Sequence, residues 1–427
     1  MSLPKPSAAA LLAGDASCVW HPYTRHGIDT EPLAVVAADG AILHLADGRR
    51  LIDGISSWWA SVHGHGHPAL IAALQKQARI LDHVLFAGAT HPPAVELAQR
   101  LVGLAPSGLS RVFFSDDGST AVEVALKMAY HAWLLRGQPH RKVFVALTNA
   151  YHGDTFGAMS VGDPMPYFDA YGPLLFEVHR VAPEAGALAG VLEALGDRVA
   201  ALIVEPLLQA AGGFHIHPPA FLQAARALCD QAGIFLIADE VATGFGRTGA
   251  MFACDKAGLR PDFLCVAKAL TNGMASLAAT LTTEQMFRAF AQVEPLRFFP
   301  HGHTMTANPI ACAVASASLQ LMADDDVVGR LEHIGHRIYE AVSSLAAEAH
   351  VEDVRRIGGV VAIELAPEPS GQGAARALRL RRAAEAQGVL LRPMGDVLYA
   401  WPPACTTDEQ VEIIARGLAS QVAAAKP

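Results

Sequence analysis

Short apolar runs alternate with amphipathic stretches through the middle of the chain. Five runs have the length of buried strands: residues 112–115, 143–147, 200–205, 234–239 and 263–267. Stretches with helical periodicity separate them, such as residues 120–135 and 219–232. Apolar strands interleaved with amphipathic helices are typical of an α/β domain built on a mostly parallel sheet.

The two ends of the chain have a different pattern. Residues 41–52 are two short apolar runs around Asp47 and Gly48, which predicts a tight hairpin. The C-terminal part predicts helices at 326–347 and 374–387, strands at 360–365, 389–392 and 397–401, and a closing helix from Asp408. We therefore expect an N-terminal segment, residues 1–62, that contributes to a small domain, a large α/β domain at 63–325, and a small α+β domain at 326–427.

Composition and charge restrict the class of protein. The chain has 427 residues, 52% of them hydrophobic and 17% charged, which is typical of a compact protein with more than one core. The net charge of -9 and the absence of an extended lysine or arginine cluster argue against nucleic-acid binding. No apolar run approaches the ~20 residues of a membrane helix, so we expect no membrane partner.

The cysteines and the N-terminus bear on the cellular compartment. Six cysteines are scattered without the spacing of a zinc site or a disulfide framework, which favours a reducing compartment. Residues 8–14 faintly resemble an export signal, but the apolar part is short and only Lys5 precedes it as a basic residue. We therefore expect a cytoplasmic protein.

The most informative segment is I-F-L-I-A-D-E-V, in which a buried strand ends at Asp239. Open α/β sheets bind ligands at the carboxyl ends of their strands, so this carboxylate is expected at the ligand edge. An unpaired buried charge is costly, and a pyridinium nitrogen would be a suitable cationic partner. A fixed carboxylate would keep the proton on that nitrogen in a cofactor that accepts electrons. The alternative is a helix cap or a surface ion pair.

A lysine, Lys268, follows at the end of the next apolar run. Desolvation at the buried end of a strand lowers the pKa of a lysine, so that its amine can form a Schiff base with a carbonyl. Taken alone, Lys268 could equally be a surface lysine. An acid and an amine at successive strand ends favour a catalytic pair, and we interpret Asp239 and Lys268 as the centre of a pyridoxal-phosphate site.

A phosphate group needs backbone donors. The sequence S-D-D-G-S-T leads from a strand into a helix whose amide groups and positive end would hold a phosphate, with Gly118 and Ser119 as the contacts. An ordinary helix cap would need only Ser119 or Thr120. Glu123, four residues before Lys127, is expected to form a helix-surface pair with it.

The segment N-A-Y-H-G-D-T follows the strand at residues 143–147. Tyr151 is placed to stack its ring on a flat heteroaromatic cofactor. His152 and Asp154 could tune the site, or each could be an internally satisfied turn residue.

Two other motifs are weaker. Residues 244–249 match the dinucleotide fingerprint G-x-G-x-x-G, but the preceding strand already ends at Asp239 and no long helix opens at Gly249. The histidines of H-G-H-G-H could suggest a metal site, but neither flank supplies ligands on a rigid element. We therefore expect no metal at these histidines, which are His63, His65 and His67.

Four motifs together resemble the class III aminotransferases over nearly the whole chain: D-E-V-A-T-G-F-G-R-T-G at 239–249, A-K-A-L around Lys268, Y-H-G-D-T from Tyr151 and I-V-E-P at 203–206. The resemblance implies the PLP-dependent transferase fold type I, which is aspartate-aminotransferase-like: an α/β fold with a large, mostly parallel sheet domain and a small α+β domain. It implies pyridoxal 5'-phosphate as cofactor, with catalytic residues Lys268, Asp239 and Tyr151 and further cofactor contacts at Gly118, Ser119, His303 and Thr304. The threonine that matches Thr304 reaches the neighbouring subunit's phosphate in this family, so a homodimer with active sites at the interface is expected.

Further segments resemble one branch of the family, which moves an amino group from S-adenosylmethionine to 8-amino-7-oxononanoate in biotin synthesis. They are W-H-P-Y-T at 20–24, D-G-I-S-S-W-W-A at 53–60, H-G-D-T-F-G-A-M-S-V at 152–161 and L-L-R-P-M-G at 390–395. The branch implies a ping-pong reaction through pyridoxamine phosphate, and substrate contacts at Tyr23, Trp58, Trp59, Tyr151, Asp154, Gly302, Arg392 and Tyr399. The planar fork of Arg392 suits the carboxylate of the oxo acid.

The chain departs from the family pattern at three positions near the phosphate. His303 stands where relatives commonly have proline, and Asn272 and Ala307 stand where glycine is frequent. The alternative activity is that of another class III aminotransferase with an ω-amino-acid donor such as ornithine, 4-aminobutyrate or lysine. An aminomutase would retain pyridoxamine and release no oxo product, and a non-catalytic binding protein would have lost Lys268.

Overall fold

A computed structural model describes residues 7–26, 32–163, 168–290, 298–368 and 373–426 of the chain. Lys5, before the faint export signal, lies outside the described residues. Contacts divide the chain into two compact units: unit 1 comprises Met1–His67 and Gly329–Pro427, and unit 2 comprises Pro68–Val328. The domain boundaries expected from the sequence, after residues 62 and 325, stay a prediction.

Unit 2 is built on a seven-stranded sheet. In spatial order its strands are Leu109–Ser115, Ala278–Thr283, Phe263–Val266, Phe235–Asp239, Val199–Val204, Val143–Leu147 and Val178–Val181. Among these seven, Ala278–Thr283 alone runs antiparallel to its neighbours, which confirms the predicted mostly parallel sheet. All six residues of Val199–Val204 are buried, as expected for a parallel strand covered on both faces.

Helices cover this sheet. They are Pro68–Ala78, Pro92–Leu104, Gly118–Leu135, Phe156–Val161, Ala185–Leu195, Pro219–Ala232, Ala253–Ala257, Glu284–Phe290 and Pro309–Asp324, with short 3-10 helices at Asp169–Leu174, Gly196–Arg198 and Lys268–Thr271. A small ribbon pairs Leu208–Gln209 with His215–Ile216. Alanines on the buried face of Gly118–Leu135 let this helix lie close to the strands beneath it. No helix in the described ranges is both long enough and apolar enough to cross a membrane.

Unit 1 contains two smaller sheets. One has the strands Val35–Asp39, Ile42–Leu45, Arg50–Asp53 and Val389–Leu390, and the other has Val351–Ile357, Val360–Leu365 and Val397–Ala400. Its helices are Ala8–Cys18, Gly373–Ala386, Asp408–Ala424, the 3-10 helix Ser343–Ala347, and most of Val327–Val342. The hairpin predicted at residues 41–52 is confirmed, and Gly48 in its turn has a φ of 90° that favours glycine.

One parallel strand pairing in unit 1 brings an N-terminal and a C-terminal segment of the chain together. Val389 pairs with Ile52 and Leu390 with Asp53, so the segments after both strands leave the sheet side by side. At Gly54 a Cβ atom would lie 2.7 Å from the Leu391 side chain, so this close approach requires glycine. The residues that follow Asp53 therefore run next to those that follow Leu390.

The packing of the helix Val327–Val342 gives a test of the fold. A Cβ at Gly335 would lie 2.0 Å from the carbonyl oxygen of Gly358, whereas a Cβ at Gly190, in the helix Ala185–Leu195, would meet nothing within 4 Å. Gly335→Ala should lower the unfolding temperature, since overpacking costs ~1–3 kcal/mol. Gly190→Ala should be neutral or stabilising by up to ~1 kcal/mol because glycine weakens a helix interior. Thermal unfolding of both variants checks this, and an unchanged midpoint for Gly335→Ala would contradict the close contact.

Candidate active site

Five strands of unit 2 direct polar groups to one edge of the sheet. Five residues lie at or just beyond the carboxyl ends of these strands: Gly118, Tyr151, Glu205, Asp239 and Lys268. The strand register places Asp239 beside Cys265, shortly before Lys268, and Ala238 beside Val204, directly before Glu205. The acid and the amine predicted from the sequence therefore follow neighbouring parallel strands, at the edge where such sheets bind ligands.

Asp239 is a buried carboxylate held by two directed hydrogen bonds. Its exposed fraction is 4%. One oxygen accepts a hydrogen bond of 3.0 Å from the backbone N–H of Val241, and the other accepts one of 2.7 Å from Nδ1 of His152, which is itself buried. A carboxylate has about four acceptor positions, so these two bonds fix its orientation and leave capacity for a further donor.

Lys268 begins the short 3-10 helix Lys268–Thr271 with a φ of 46°, which is strained for a residue other than glycine. Burial of the amine lowers the pKa of Lys268 below the ordinary value of 10.5. The carboxylates of Asp239, Glu205 and Asp154 partly oppose this shift because they stabilise the ammonium form. The lowered pKa increases the fraction of neutral, nucleophilic amine.

Glu205 is a site residue that the sequence reading used only as part of a family motif. Its buried side chain accepts hydrogen bonds from the backbone N–H groups of Tyr151 at 3.0 Å and Ala210 at 3.1 Å. Burial raises the pKa of Glu205 to about 7; the charge of His152 opposes this shift and that of Asp239 adds to it. The strand-end argument that identified Asp239 applies equally to this glutamate and would have found it.

The start of the helix Gly118–Leu135 is capped by Asp117. Its carboxylate accepts from Thr120 N–H at 2.9 Å, and its own N–H donates to the Thr120 hydroxyl at 3.0 Å. The N-cap residue is therefore Asp117, and of the two residues weighed from the sequence Thr120 completes the capping box. Gly118 lies so close to the segment after Asp239 that a Cβ would be 2.6 Å from the Val241 side chain. The amides of this first helical turn thus lie near Asp239 and can hold an anion.

Two side chains after the strand Val143–Leu147 fix each other. The Tyr151 hydroxyl donates to Asp154 at 3.0 Å, and the Asp154 N–H donates to the Ser119 hydroxyl at 3.0 Å. The Tyr151 ring stacks against Phe168 at a centroid distance of 6.0 Å. The orientation of the tyrosine ring is therefore set by contacts on several sides.

The segment containing His303 lies against the same helix start. Nδ1 of His303 is 2.9 Å from a carboxylate oxygen of Asp116, which precedes the cap residue Asp117. Gly302 and Thr304 are exposed on unit 2. The predicted contacts of His303 and Thr304 with a phosphate, and of Gly302 with a substrate, stay predictions.

Two departures from the family pattern fall where the backbone is left-handed. Asn272 has a φ of 57° and Ala307 a φ of 54°. Asparagine adopts this conformation more readily than most residues, whereas alanine does so with strain. The buried Ala307 is held by His91, whose Nε2 donates to its carbonyl oxygen at 2.8 Å. Both residues thus occupy a conformation that glycine would adopt without strain.

The predicted pair between Glu123 and Lys127 is wrong. Glu123 accepts hydrogen bonds from the Thr155 hydroxyl at 2.6 Å and the Gly157 N–H at 2.7 Å, at the start of the helix Phe156–Val161. Lys127 instead lies 2.9 Å from Nδ1 of His301. Unsatisfied amides at a helix start are better partners for a partly buried carboxylate than an exposed lysine.

In unit 1, four consecutive residues after Asp53 form a left-handed turn. Ser56, Ser57, Trp58 and Trp59 have φ values of 48°, 45°, 70° and 74°. This conformation costs roughly 1–2 kcal/mol per residue for L-amino acids, so surrounding contacts must stabilise it. It was not foreseen from the sequence, because the segment contains none of the glycine or asparagine that usually adopts it.

Three predicted substrate residues come together at this turn. The guanidinium carbon of Arg392 lies 4.6 Å from the centroid of the Trp58 ring, and the ring of Tyr23 meets Trp58 edge-on at 5.9 Å. The side chain of Trp58 is 38% exposed. The cluster therefore presents a cation and two aromatic surfaces to a ligand.

Two other predicted substrate residues are core residues of unit 1. Trp59 is 3% exposed and Tyr399 is 1% exposed. The ring of Trp59 stacks on Trp401 at 5.0 Å and meets Tyr399 edge-on at 6.2 Å. Within this unit the two side chains pack behind the turn, and their direct contact with a substrate stays a prediction.

The structure also shows the surroundings of the two weaker motifs, the H-G-H-G-H histidines and residues 244–249. His65 contacts Asp53, and the ring of His63 lies 6.1 Å from that of His67. Across the described ranges, no three side chains of histidine, cysteine or acidic residues lie together as a metal site. The five-residue helix Ala253–Ala257 follows residues 244–249, where a dinucleotide fingerprint would need a long helix.

Comparison with known proteins gives consistent matches over nearly the whole chain. Residues 23–422 match the aminotransferase class-III family. The adenosylmethionine-8-amino-7-oxononanoate aminotransferase of Synechococcus elongatus is 46% identical over 416 residues, which cover 94% of this chain and 97% of that protein. The crystal structure of the enzyme of the same name from Methanocaldococcus jannaschii has a TM-score of 0.93 at 32% identity, over 97% of this chain and 99% of that one. An amine transaminase from an uncultivated Pseudomonas species, solved in its PLP-bound form, has a TM-score of 0.89 at 33% identity, over 95% of this chain and 98% of that one.

The lowered pKa of Lys268 predicts that its amine reacts at a lower pH than that of an ordinary lysine. In protein freed of bound small molecules, coupling of the amine to an aldehyde under reducing conditions should have its midpoint below pH 10.5, because burial disfavours the protonated form. Mass spectrometry of the Lys268 peptide, after labelling from about pH 6 to about pH 12, gives the titration midpoint. The labelled peptide should be absent from Lys268→Arg. A midpoint at or above 10.5 would contradict the desolvation of this amine.

Proposed function

This chain belongs to the class-III aminotransferases, and we propose that it transfers an amino group from S-adenosylmethionine to 8-amino-7-oxononanoate, which gives 7,8-diaminononanoate for biotin synthesis. The observation that carries the catalytic part is the placement of Asp239 and Lys268 after neighbouring parallel strands. The observation that supports this substrate is the cluster of Arg392, Trp58 and Tyr23 in unit 1.

Pyridoxal 5'-phosphate is the cofactor of this family, and the residues of unit 2 fit it. Asp239 offers a buried carboxylate for a protonated ring nitrogen, and Lys268 offers an amine of lowered pKa for the aldehyde. The first turn of the helix Gly118–Leu135 offers amide donors for the phosphate. When bound, the cofactor supplies a protonated ring that accepts electrons as a bond to the substrate carbon breaks.

Different side chains of unit 2 act on different protons in the proposed reaction. Asp239 would keep the proton on the cofactor's ring nitrogen, because His152 and Val241 hold its carboxylate in one orientation. The Nζ atom of Lys268 would act as the base that accepts the proton from the substrate carbon, a role that requires a neutral amine. Tyr151 would stack on the cofactor ring, since its orientation is fixed by the hydrogen bond to Asp154 and by the Phe168 ring.

The cluster in unit 1 suits the oxo acid. The Arg392 guanidinium binds a carboxylate with two parallel hydrogen bonds, and the Trp58 ring beneath it limits the rotation of the guanidinium plane. The exposed faces of Trp58 and Tyr23 provide apolar surface for an aliphatic chain or an adenine ring. A short ω-amino-acid donor would leave most of this surface unused.

We also propose a cytoplasmic homodimer with active sites at the subunit interface. Thr304, the family's contact to a neighbouring phosphate, is exposed, and large apolar side chains at Phe298 and Met305 are exposed beside it in the sequence. Exposed apolar side chains of this size are typical of a protein interface. Four of the six cysteines are buried free thiols, the state that a reducing compartment preserves.

The bound cofactor gives the first test of this proposal. Purified enzyme should absorb visible light, and borohydride should fix the cofactor covalently to the peptide that contains Lys268, because this amine reacts with the aldehyde. Lys268→Ala should lose the covalent adduct and nearly all activity, a loss of several orders of magnitude. The variant Lys256→Ala should behave like the wild type, since Lys256 donates to the Thr248 carbonyl and lies outside the site. A colourless wild type without affinity for the cofactor would refute the proposal.

The second test measures the half-reaction with the amino donor and the half-reaction with the acceptor separately. Adenosylmethionine alone should bleach the visible band, and 8-amino-7-oxononanoate should then restore it, because each is the substrate of one half-reaction. Lysine, ornithine and 4-aminobutyrate serve as competing donors in the same stopped-flow measurement. If ornithine or 4-aminobutyrate bleaches the band much faster than adenosylmethionine, the biotin-pathway assignment is wrong and the ω-amino-acid alternative holds.

A further inference from the structure

Asp53 is a fully buried carboxylate that belongs to no part of the site described so far. It ends the strand Arg50–Asp53, and two residues separate it from the left-handed turn. One oxygen accepts hydrogen bonds from the Ser57 N–H at 2.9 Å and the Ile55 N–H at 3.4 Å. The other oxygen accepts one from the Ser57 hydroxyl at 2.7 Å. Asp53 therefore binds the turn at its second residue through both backbone and side chain.

His65 supplies a fourth donor to the same carboxylate. Its Nε2 lies 2.8 Å from the oxygen that also accepts the Ser57 hydroxyl. The backbone of His65 is itself anchored, because its N–H donates to the Gly40 carbonyl at 2.7 Å and its carbonyl accepts from the Gly40 N–H at 3.0 Å. The histidine is thus a fixed donor that reaches Asp53 from a separate part of unit 1.

These contacts keep the buried group in its charged form. Burial alone would raise the pKa of Asp53, but the hydrogen bonds from His65 and Ser57 outweigh it and lower that pKa below the ordinary value. Four donors fill the roughly four acceptor positions of a carboxylate. Asp53 has no capacity left for a ligand, so its contacts serve the turn.

The group of Ser57, His65 and Asp53 contains the residue types of a hydrolase triad, but its geometry is different. In a triad the histidine stands between the serine and the acid, and takes the serine proton. Here the Ser57 hydroxyl donates directly to Asp53, and the same His65 nitrogen that contacts Asp53 is 3.4 Å from that hydroxyl. The His65 nitrogen that donates to Asp53 cannot also accept the Ser57 proton, so we interpret the arrangement as one that positions the chain.

The turn is also fixed on its other side. The Ser56 hydroxyl donates to the Trp401 carbonyl at 2.7 Å, and Trp59 stacks in the core of unit 1. Between these two anchors Trp58 alone of the four residues presents a large side chain to the surface, where Arg392 lies over it. The direction of the Trp58 ring therefore depends on Ser57, the residue that Asp53 and His65 hold.

We propose that Asp53, Ser57 and His65 form a positioning network, which holds the strained turn so that Trp58 lies against Arg392 and orients it for the carboxylate of the oxo acid. The network rests on the proposed function only for the identity of that acid. Its three members are positioning residues, because they act through Trp58 and Arg392 and touch no substrate themselves. Losing His65 frees the Ser57 segment to leave the left-handed conformation, and Trp58 then turns away from the guanidinium.

The test compares variants of the holoenzyme that differ in one donor. His65→Phe removes the donor at similar volume, whereas His65→Gln retains an N–H that can reach Asp53. His44→Phe is the matched control, since His44 pairs with Asp39 and stands opposite Arg50, at the other end of that strand from Asp53. Ser57→Ala removes one hydrogen bond without adding volume, and should show a smaller effect of the same sign even where His65→Phe folds poorly.

Two measurements read the outcome. Hydroxyl-radical labelling of Trp58 in enzyme without substrate, followed by peptide mass spectrometry, should rise several-fold in His65→Phe and by a smaller factor in Ser57→Ala. It should stay at the wild-type level in His65→Gln and His44→Phe. The KM for 8-amino-7-oxononanoate should rise at least about tenfold in His65→Phe, the size expected for a lost hydrogen bond to a charged group, with kcat changed much less. Arg392→Ala gives the reference for loss of the carboxylate contact.

The outcomes separate the network from the proposed function. Unchanged Trp58 labelling in both His65→Phe and Ser57→Ala overturns the network, and so does an equal rise in His44→Phe. Raised labelling with an unchanged KM for an oxo acid that the wild type does convert overturns the assigned role. If the wild type does not convert 8-amino-7-oxononanoate, the substrate assignment fails, and the labelling result alone then decides whether the network exists.

Discussion

The cost of a buried carboxylate is the constraint on which the arrangement of unit 2 depends. Asp239 lies at the end of a strand in the middle of the sheet, where an uncompensated charge would destabilise the fold by several kcal/mol. His152 and the Val241 amide compensate part of this charge, and the Lys268 amine adds an electrostatic contribution. Burial raises the pKa of Glu205, directly after the adjoining strand, to about 7, which favours its neutral form and so limits the negative charge there. A protonated ring nitrogen completes this balance, which is why the site suits a pyridinium cofactor.

Strained backbone occurs at each point where a functional side chain must leave its element in an unusual direction. Lys268 has a left-handed conformation at the start of its 3-10 helix, and Trp58 lies within four consecutive left-handed residues. Such conformations persist where surrounding contacts determine them. For Lys268 these are the buried strand before it and the 3-10 helix after it; for Trp58 they are the hydrogen bonds of Asp53 and the core stack of Trp59. In both cases a well-packed part of a unit stabilises a conformation that the local sequence disfavours.

The sequence was most informative where function follows from the direction of a strand. Asp239 and Lys268 end apolar runs, and the parallel arrangement of those runs places both residues at one edge. The helix start at Gly118 was recognisable because amide donors at a helix N-terminus suit a phosphate whatever caps it. The cap at Asp117 and the partner of Glu123 were missed, since several nearby residues can serve and tertiary contacts decide among them. The left-handed turn could not be predicted, because its conformation comes from Asp53, His65 and Trp401, which are brought together only by the fold.

Asp239 and Asp53 are held by similar hydrogen bonds, although we propose different roles for them. Each is a buried aspartate at the end of a strand, and each accepts a hydrogen bond from a histidine ring nitrogen, at 2.7 Å from His152 and 2.8 Å from His65. Each also accepts a backbone N–H from the segment that follows its own strand. Apolar packing tolerates small rotations because it is not directional, whereas a carboxylate with several directed donors specifies one orientation. The difference lies in the remaining capacity: four donors saturate Asp53, which can only position the chain, while the two donors on Asp239 leave room for a ligand. This difference in hydrogen-bond capacity suits the two roles that we propose: Asp239 as the partner of the cofactor ring, and Asp53 as the residue that holds the turn carrying Trp58.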